Sequence, residues 1–206
     1  MSAESQSLDS EHSAAEDSAR AGCYALIGRL FYDAPDADLL AVICNASPVA
    51  EAAGEAGQFA SAWGALQGVC RNADVDALRR EYDSLFISVG KAAITLYTSR
   101  YVPGAAADKH LVRLREHLDS LGLARHGSVF EVEDHISGLC DVMRHLIEAN
   151  QALEDQHQFF DGFVRAGAMP LCVAVEHAVP AVFYKHVAAF ALAFFEMEKL
   201  AFEMGD

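Results

Sequence analysis

From about residue 20 onward, apolar residues in this sequence recur three and four positions apart. Cys23, Leu26, Ile27, Leu30 and Phe31 fall at i, i+3, i+4, i+7 and i+8, one face of a helix, and the stripe ends at Asp33-Ala34-Pro35. A stripe of this kind must be buried against another element, so a chain made of such stripes packs helix on helix. The pattern predicts a second helix capped by Asp36 with Leu39, Leu40, Val42 and Ile43 inside. It predicts a third with Ser47 as N-cap and Pro48 at its first position, facing inward through Phe59, Trp63, Leu66 and Cys70. Asp74 opens a fourth helix whose stripe is Val75, Leu78, Tyr82, Leu85 and Phe86. Ser88 to Pro103 breaks the pattern. The alternation from Thr95 to Val102 has no partner strand elsewhere, so the stretch reads as a long ordered loop of the kind that often carries function.

Leu111, Leu114, Leu118 and Leu121 predict a fifth helix stopped by Gly122, with His110 and His117 two turns apart on its solvent side. Ile136, Leu139, Cys140, Met143, Leu146 and Ile147 predict a sixth. Leu153, Gln156, Phe159, Phe160 and Phe163 predict a seventh, stopped near Gly167. The last begins at Met169-Pro170, runs to about Glu203 and is kinked at Pro180, because proline removes a donor and crowds the preceding turn. No βαβ rhythm and no fixed repeat appears. The expected fold is all-α: a single compact helical-bundle domain over residues 16–206, with about eight helices and a kinked C-terminal one. Residues 1–15, rich in Ser, Glu and Asp, are expected to form a disordered acidic tail.

Charge narrows the function. The chain of 206 residues has 15 Lys+Arg against 30 Asp+Glu, a net charge of −15. A surface of that sign repels phosphate, so nucleic acid is not an expected partner. The five cysteines, Cys23, Cys44, Cys70, Cys140 and Cys172, are far apart with no CxxC pair, which predicts reduced core thiols in a cytoplasmic protein. The N-terminus lacks the apolar stretch of a secretory leader, and the best apolar run, Val187 to Phe195, is about half the length a membrane span needs. Phosphate-binding glycine loops and the G-x-S-x-G elbow are absent, so no cofactor of the usual enzymes is expected.

A di-iron bundle enzyme is one alternative, because such bundles use paired E-x-x-H motifs with two further glutamates. Glu154-Asp155-Gln156-His157 supplies one such motif, but no second one is present, and a solvated polar face is the preferred explanation. His177 and His186, in the last helix, read as core or boundary residues. A non-catalytic helical scaffold is the other alternative. One constellation stands out. Tyr82, Leu85 and Phe86 end the fourth helix, Tyr97, Ser99 and Tyr101 follow in the loop, and Glu131, Glu133, Asp134 and His135 gather where the sixth helix starts. Acids there suit the positive helix end, so an ordinary N-cap is the competing explanation; for the aromatic set it is core packing.

These residues also carry a likeness. Glu81-Tyr82 followed by Leu85-Phe86, then Tyr97, Ser99 and Tyr101, resembles the E-Y-x-x-L-F and P-Y-x-S-x-Y motifs of the TorD/DmsD/NarJ-like chaperones for maturation of molybdenum-containing oxidoreductases. Asp134-His135 before an apolar helix resembles the second motif of that family. Met169-Pro170, Phe183-Tyr184 and Glu198 resemble the third, and together the motifs cover about residues 20 to 203 in order. The chain departs from the family at Ser88-Val89-Gly90, where Gly-Pro is common, around Val132, and at Cys172 in place of a frequent Trp.

The resemblance implies a cytoplasmic chaperone that binds without catalysis. Its partners would be an apo-molybdoenzyme subunit and that subunit's basic, apolar twin-arginine signal peptide, held until the cofactor is inserted. It implies peptide contacts by Tyr82, Leu85, Phe86 and Tyr97 along an apolar groove, with Ser99 and Tyr101 nearby. Asp134, Glu131 and Glu133 would meet the arginines, and His135 would act as a hydrogen-bonding neighbour or a switch. A monomer or a dimer that swaps the 88–103 loop would both fit.

Overall fold

The computed structural model describes residues 3–49, 53–87, 92–104, 106–123 and 133–205. Among these the chain is all-α. Helices α1 (Ala3–Tyr32), α2 (Ala37–Asn45), α3 (Gly54–Cys70) and α4 (Val75–Tyr82) are followed by a π-helical turn at Asp83–Ile87 and a 3-10 helix at Thr98–Tyr101. Then come α5 (Ala106–Ser120), α6 (Ile136–Glu148), α7 (Leu153–Phe159), a π-helical stretch at Phe160–Ala168, α8 (Met169–Glu176) and α9 (Tyr184–Gly205). Helical backbone is thus recorded from Ala3, within the acid-rich segment 1–15, which contains no Pro or Gly to break it.

Helix α9 is the central element. Its buried face of Tyr184, Val187, Phe190, Phe194 and Phe195 takes α3 on one side, through Phe59 and Trp63, and α8 on another. Helix α1 lies along α6 and approaches it closely at Gly28, where an added Cβ would sit 3.3 Å from Cys140 Cβ. The C-terminus of α1 is closed by tyrosines from elsewhere. Tyr184 donates to Leu30 O (3.2 Å), and Tyr82 donates to Phe31 O (3.2 Å) and Tyr32 O (2.8 Å), which satisfies three of the carbonyls a helix end leaves open. Cys70, Cys140 and Cys172 are buried and Cys23 and Cys44 half-buried, and burial pushes the Cys23 and Cys70 thiols up to about 12.

Four local expectations change. The third helix starts at Gly54, not at Ser47-Pro48: Ser47 O accepts the Trp63 indole N–H (3.1 Å), and Ile43 O and Ala46 O accept the Gln67 amide, so α3 uses this segment to close α2. Gly167 and Met169-Pro170 do not separate two helices. Residues 153–176 form one continuous rod, and the five-residue register just before Pro170, with Met169 N–H bonded to Val164 O, is the adjustment that lets a proline sit there. Pro180 breaks the C-terminal helix rather than kinking it, since 177–183 is non-helical and α9 starts afresh at Tyr184.

The fourth change is in α5. Gly122 does stop the helix, at φ +69°, with Leu123 N–H bonded to Leu118 O (2.9 Å). The buried face, however, runs through His110 and Leu114, with His117 half-buried, so the two histidines do not face solvent. Both imidazoles lie against the Phe163 ring, at 5.4 and 5.6 Å between centroids, and their Nε2 atoms are buried without a hydrogen-bond partner. Burial lowers both pKa values, outweighing the pull of Asp134 on His110 and of Asp155 on His117. With the folded value below the unfolded one, their stability contribution is complete above the unfolded pKa of ~6.5 and is lost as pH falls from there through the folded values. Thermal melts should therefore decline from about pH 7.5 to about pH 5, and His110→Leu should flatten part of that decline.

Candidate functional site

Residues 92–103 of the long loop predicted from sequence are held by the start of α6. Ile136 N–H donates to Leu96 O (3.0 Å) and Thr98 N–H to Asp134 O (2.9 Å), a single antiparallel bridge between Tyr97 and His135. The alternating segment thus finds its partner, for one residue pair only, before the chain turns into the 3-10 helix. The Thr98 hydroxyl adds a second bond to Asp134 O at 2.9 Å. Asp134 Oδ2 accepts the Ser99 N–H at 3.2 Å, which caps the 3-10 helix from outside. His135 caps α6 in turn, its Nδ1 accepting the Ser137 N–H at 3.2 Å. Gly167 fixes the third side. A Cβ there would lie 2.8 Å from Thr98 Cβ and 3.0 Å from Thr98 O, so only glycine allows the π-helical stretch to approach this closely.

The predicted site residues divide accordingly. Asp134 and His135 are buried, at 2% and 6% exposure, and hold backbone. Tyr97 is 36% exposed, with its ring edge on His135 at 5.7 Å, and Ser99 and Tyr101 are half-buried beside it. The Tyr101 hydroxyl donates to Thr95 O (2.9 Å). Glu133 is half-buried and pairs with Arg115 of α5 at 3.1 Å. Tyr82, Leu85 and Phe86 are core residues: Phe86 packs on Tyr184 (5.1 Å) and Phe31 (6.2 Å), as the competing core explanation required. Glu131 and Ser88 to Gly90 lie outside the described residues.

Sequence reasoning missed Thr98 and Gly167. The signal for Gly167 was a glycine that interrupts no helix, visible only once the rod is seen to be continuous. Gly167→Ala should destabilise the fold by about 1–3 kcal/mol and shift the amide resonances of Thr98 and Ser99, because backbone is what the new methyl meets. Tm and an amide NMR spectrum check this.

The E-x-x-H pair sits elsewhere, on a polar cavity of about 820 Å³ between α5 and the 153–168 stretch. Glu154 is exposed and accepts from Gln158 (2.6 Å), while His157 stacks flat on Phe202 (5.0 Å). Among the described residues, no group of three or more His, Cys, Asp or Glu is placed to hold a metal ion. His177 is exposed at the end of α8 and His186 is half-buried in the first turn of α9. No helix among the described residues is long and apolar enough to cross a membrane.

The molecule is therefore an all-α domain in which a loop pinned by a buried Asp-His pair presents an exposed tyrosine. Residues 52–195, from just before α3 to well into α9, match the family model described as nitrate reductase delta subunit, and the chain belongs to that family. It is a family of chaperones for molybdoenzyme maturation. No curated protein matches the chain.

Proposed function

We propose that this protein is a cytoplasmic chaperone that binds the apo form of a molybdoenzyme subunit with its twin-arginine leader and holds both until the cofactor is inserted. The observation that carries the reading is the Tyr97 rim, where an amphipathic ring stands exposed on a junction in which the buried Thr98 hydroxyl, Asp134 Oδ2 and His135 Nδ1 each bond to backbone. A rim held this way loses little entropy when a partner docks. Tyr97, Ser99 and Tyr101 are the contacts for the peptide. Glu133 meets an arginine, exchanging its bond to Arg115 for a paired one from the leader. Asp134 and His135 act as positioning residues: they set where Tyr97 and Ser99 stand.

Calorimetry with a synthetic twin-arginine peptide and with the co-expressed apo-subunit tests the reading. Tyr97→Ala should weaken peptide binding about tenfold with an unchanged Tm. Wild-type affinity in that variant would remove the rim from the proposal. Absence of binding to both peptide and apo-subunit would overturn the chaperone function, as would iron retained stoichiometrically after purification.

A further inference from the structure

Helix α5 fits its seat poorly. Leu114 is fully buried, but the positions one turn to either side of it on the same face, where a packed helix carries aliphatic side chains, hold His110 and His117. The two rings lie against Phe163, and His117 also meets Phe159 at 5.7 Å. Neither Nε2 finds a hydrogen-bond partner there, and an unmet polar atom in a seam favours its opening. Beside the same seam the cavity of about 820 Å³ lies between α5 and the 153–168 rod, where closer packing would have put contacts.

One charged contact holds the helix down. Arg115 pairs with Glu133 at 3.1 Å, and the Glu133 side chain is 16% exposed. Glu133 leads directly into Asp134, whose carbonyl and carboxylate fix Thr98 and Ser99, so α5 is tied to the acid that adjoins the Tyr97 rim. Arg113, two residues away and lining the cavity, has no ion pair among the described residues. Helix α5 thus brings an arginine to Glu133 while its histidine face covers the Phe159 and Phe163 rings. The proposed function gives that same carboxylate an arginine from the leader, and only one of the two cations can hold it in full.

We propose that α5 is an autoinhibitory strap: in the free chain Arg115 occupies Glu133 in place of the client's arginine, and the helix must lift before the leader is held. This rests on the chaperone reading for what displaces the strap, and adds to it a competitor built into the chain. Because the peptide binds only the lifted form, its apparent affinity scales with the fraction of chains that are lifted. A variant that seats α5 better binds more weakly, and one that unties it binds more tightly. Amide exchange in α5 reports the same fraction, so it changes by the same factor.

The probe is a fluorescein-labelled synthetic twin-arginine peptide followed by anisotropy at about pH 8, where both imidazoles are neutral, with hydrogen exchange of α5 read on the free protein. Arg115→Gln should tighten the peptide several-fold and speed α5 exchange by the same factor. His117→Leu, which removes an unmet nitrogen from the seam, should weaken the peptide several-fold and slow exchange; His110→Leu repeats the test if that variant misfolds. Glu133→Gln should speed exchange yet weaken the peptide, because strap and client lose the same acid. Arg113→Gln, with the same loss of charge from the same helix, should change neither. If Arg115→Gln binds no better than Arg113→Gln, or if α5 exchange changes without a change in affinity, the strap is wrong and the chaperone reading stands on the wild-type peptide. Amides of α5 that exchange only through global unfolding would also overturn it. If wild type binds neither peptide nor apo-subunit, the chaperone reading falls and the autoinhibitory role with it, even where exchange shows that α5 lifts.

Discussion

Glu198→Ala is expected to cost about 3 kcal/mol, a fall in Tm of about 6–12 °C for a domain of this size. Glu198 is 3% exposed and lies between α1 and α9. Its Oε1 accepts Arg20 Nε at 2.7 Å, and its Oε2 accepts Arg20 Nη2 at 3.0 Å and the Tyr24 hydroxyl at 3.1 Å. Arg20 also reaches Gln156 Oε1 (3.1 Å) of α7 and stands over the Phe202 ring (5.6 Å). Removing the carboxylate strands a largely buried guanidinium and a fully buried phenol, with Asp17, at 2.9 Å, the remaining ion-pair partner of Arg20 among the described residues. Breaking such a pair costs more than never having had it. The double replacement Arg20→Leu with Glu198→Met should therefore recover most of the loss, and chemical denaturation of the single and double variants measures the coupling.

Glu81→Ala is expected to cost about 2 kcal/mol by a different mechanism. Glu81 sits at the end of α4, yet its Oε1 accepts the N–H groups of Val182, Phe183 and Tyr184, each at 2.8 Å, and its Oε2 accepts Phe183 N–H at 3.0 Å. It is the cap of α9, supplied from a hundred residues away. Ordinary caps come from the preceding residue, and here the preceding chain is the break that Pro180 imposes. Glu81→Gln keeps an acceptor but loses the charge at the helix's positive end, so it should lose about half as much. Hydrogen exchange should show the loss as earlier opening of the first turn of α9, distinguishing it from the global effect of Glu198→Ala.

These two glutamates mark what the sequence could and could not disclose. The stripes of α1, α2, α4 and α6 were legible because an apolar face repeats every three to four residues whatever it packs against. Glu81 and Tyr82 were visible as a motif, but their work is not local. One caps α9 and the other closes α1, and no spacing rule relates positions 81, 182 and 31. The same holds for His110 and His117. Their neighbours Leu111 and Leu118 define a plausible apolar face, and only the Phe159 and Phe163 rings, brought across from another helix, turn α5 onto its histidines. At the candidate site, the sequence brought Tyr97, Ser99, Asp134 and His135 to notice. It could not say which were exposed, because that depends on a backbone bridge between segments nearly forty residues apart. Proline and glycine misled most. Pro48, Gly167 and Pro170 read as boundaries, whereas the folded chain leaves the first exposed in the link ahead of α3, uses the second as a contact and holds the third inside a rod.

The wide-register stretch at Phe160–Ala168 has a consequence for length. A π-helical segment is in effect an α-helix carrying a surplus residue, and each residue turns an α-helix by about 100°. Deleting one residue there would let the rod relax into regular α-helix while rotating everything on one side of the deletion against everything on the other. Gly167 would leave Thr98, or Phe163 would leave the histidines of α5; one phase cannot serve both. The number of residues between these two contacts is thus as much a part of the fold's specification as their identity.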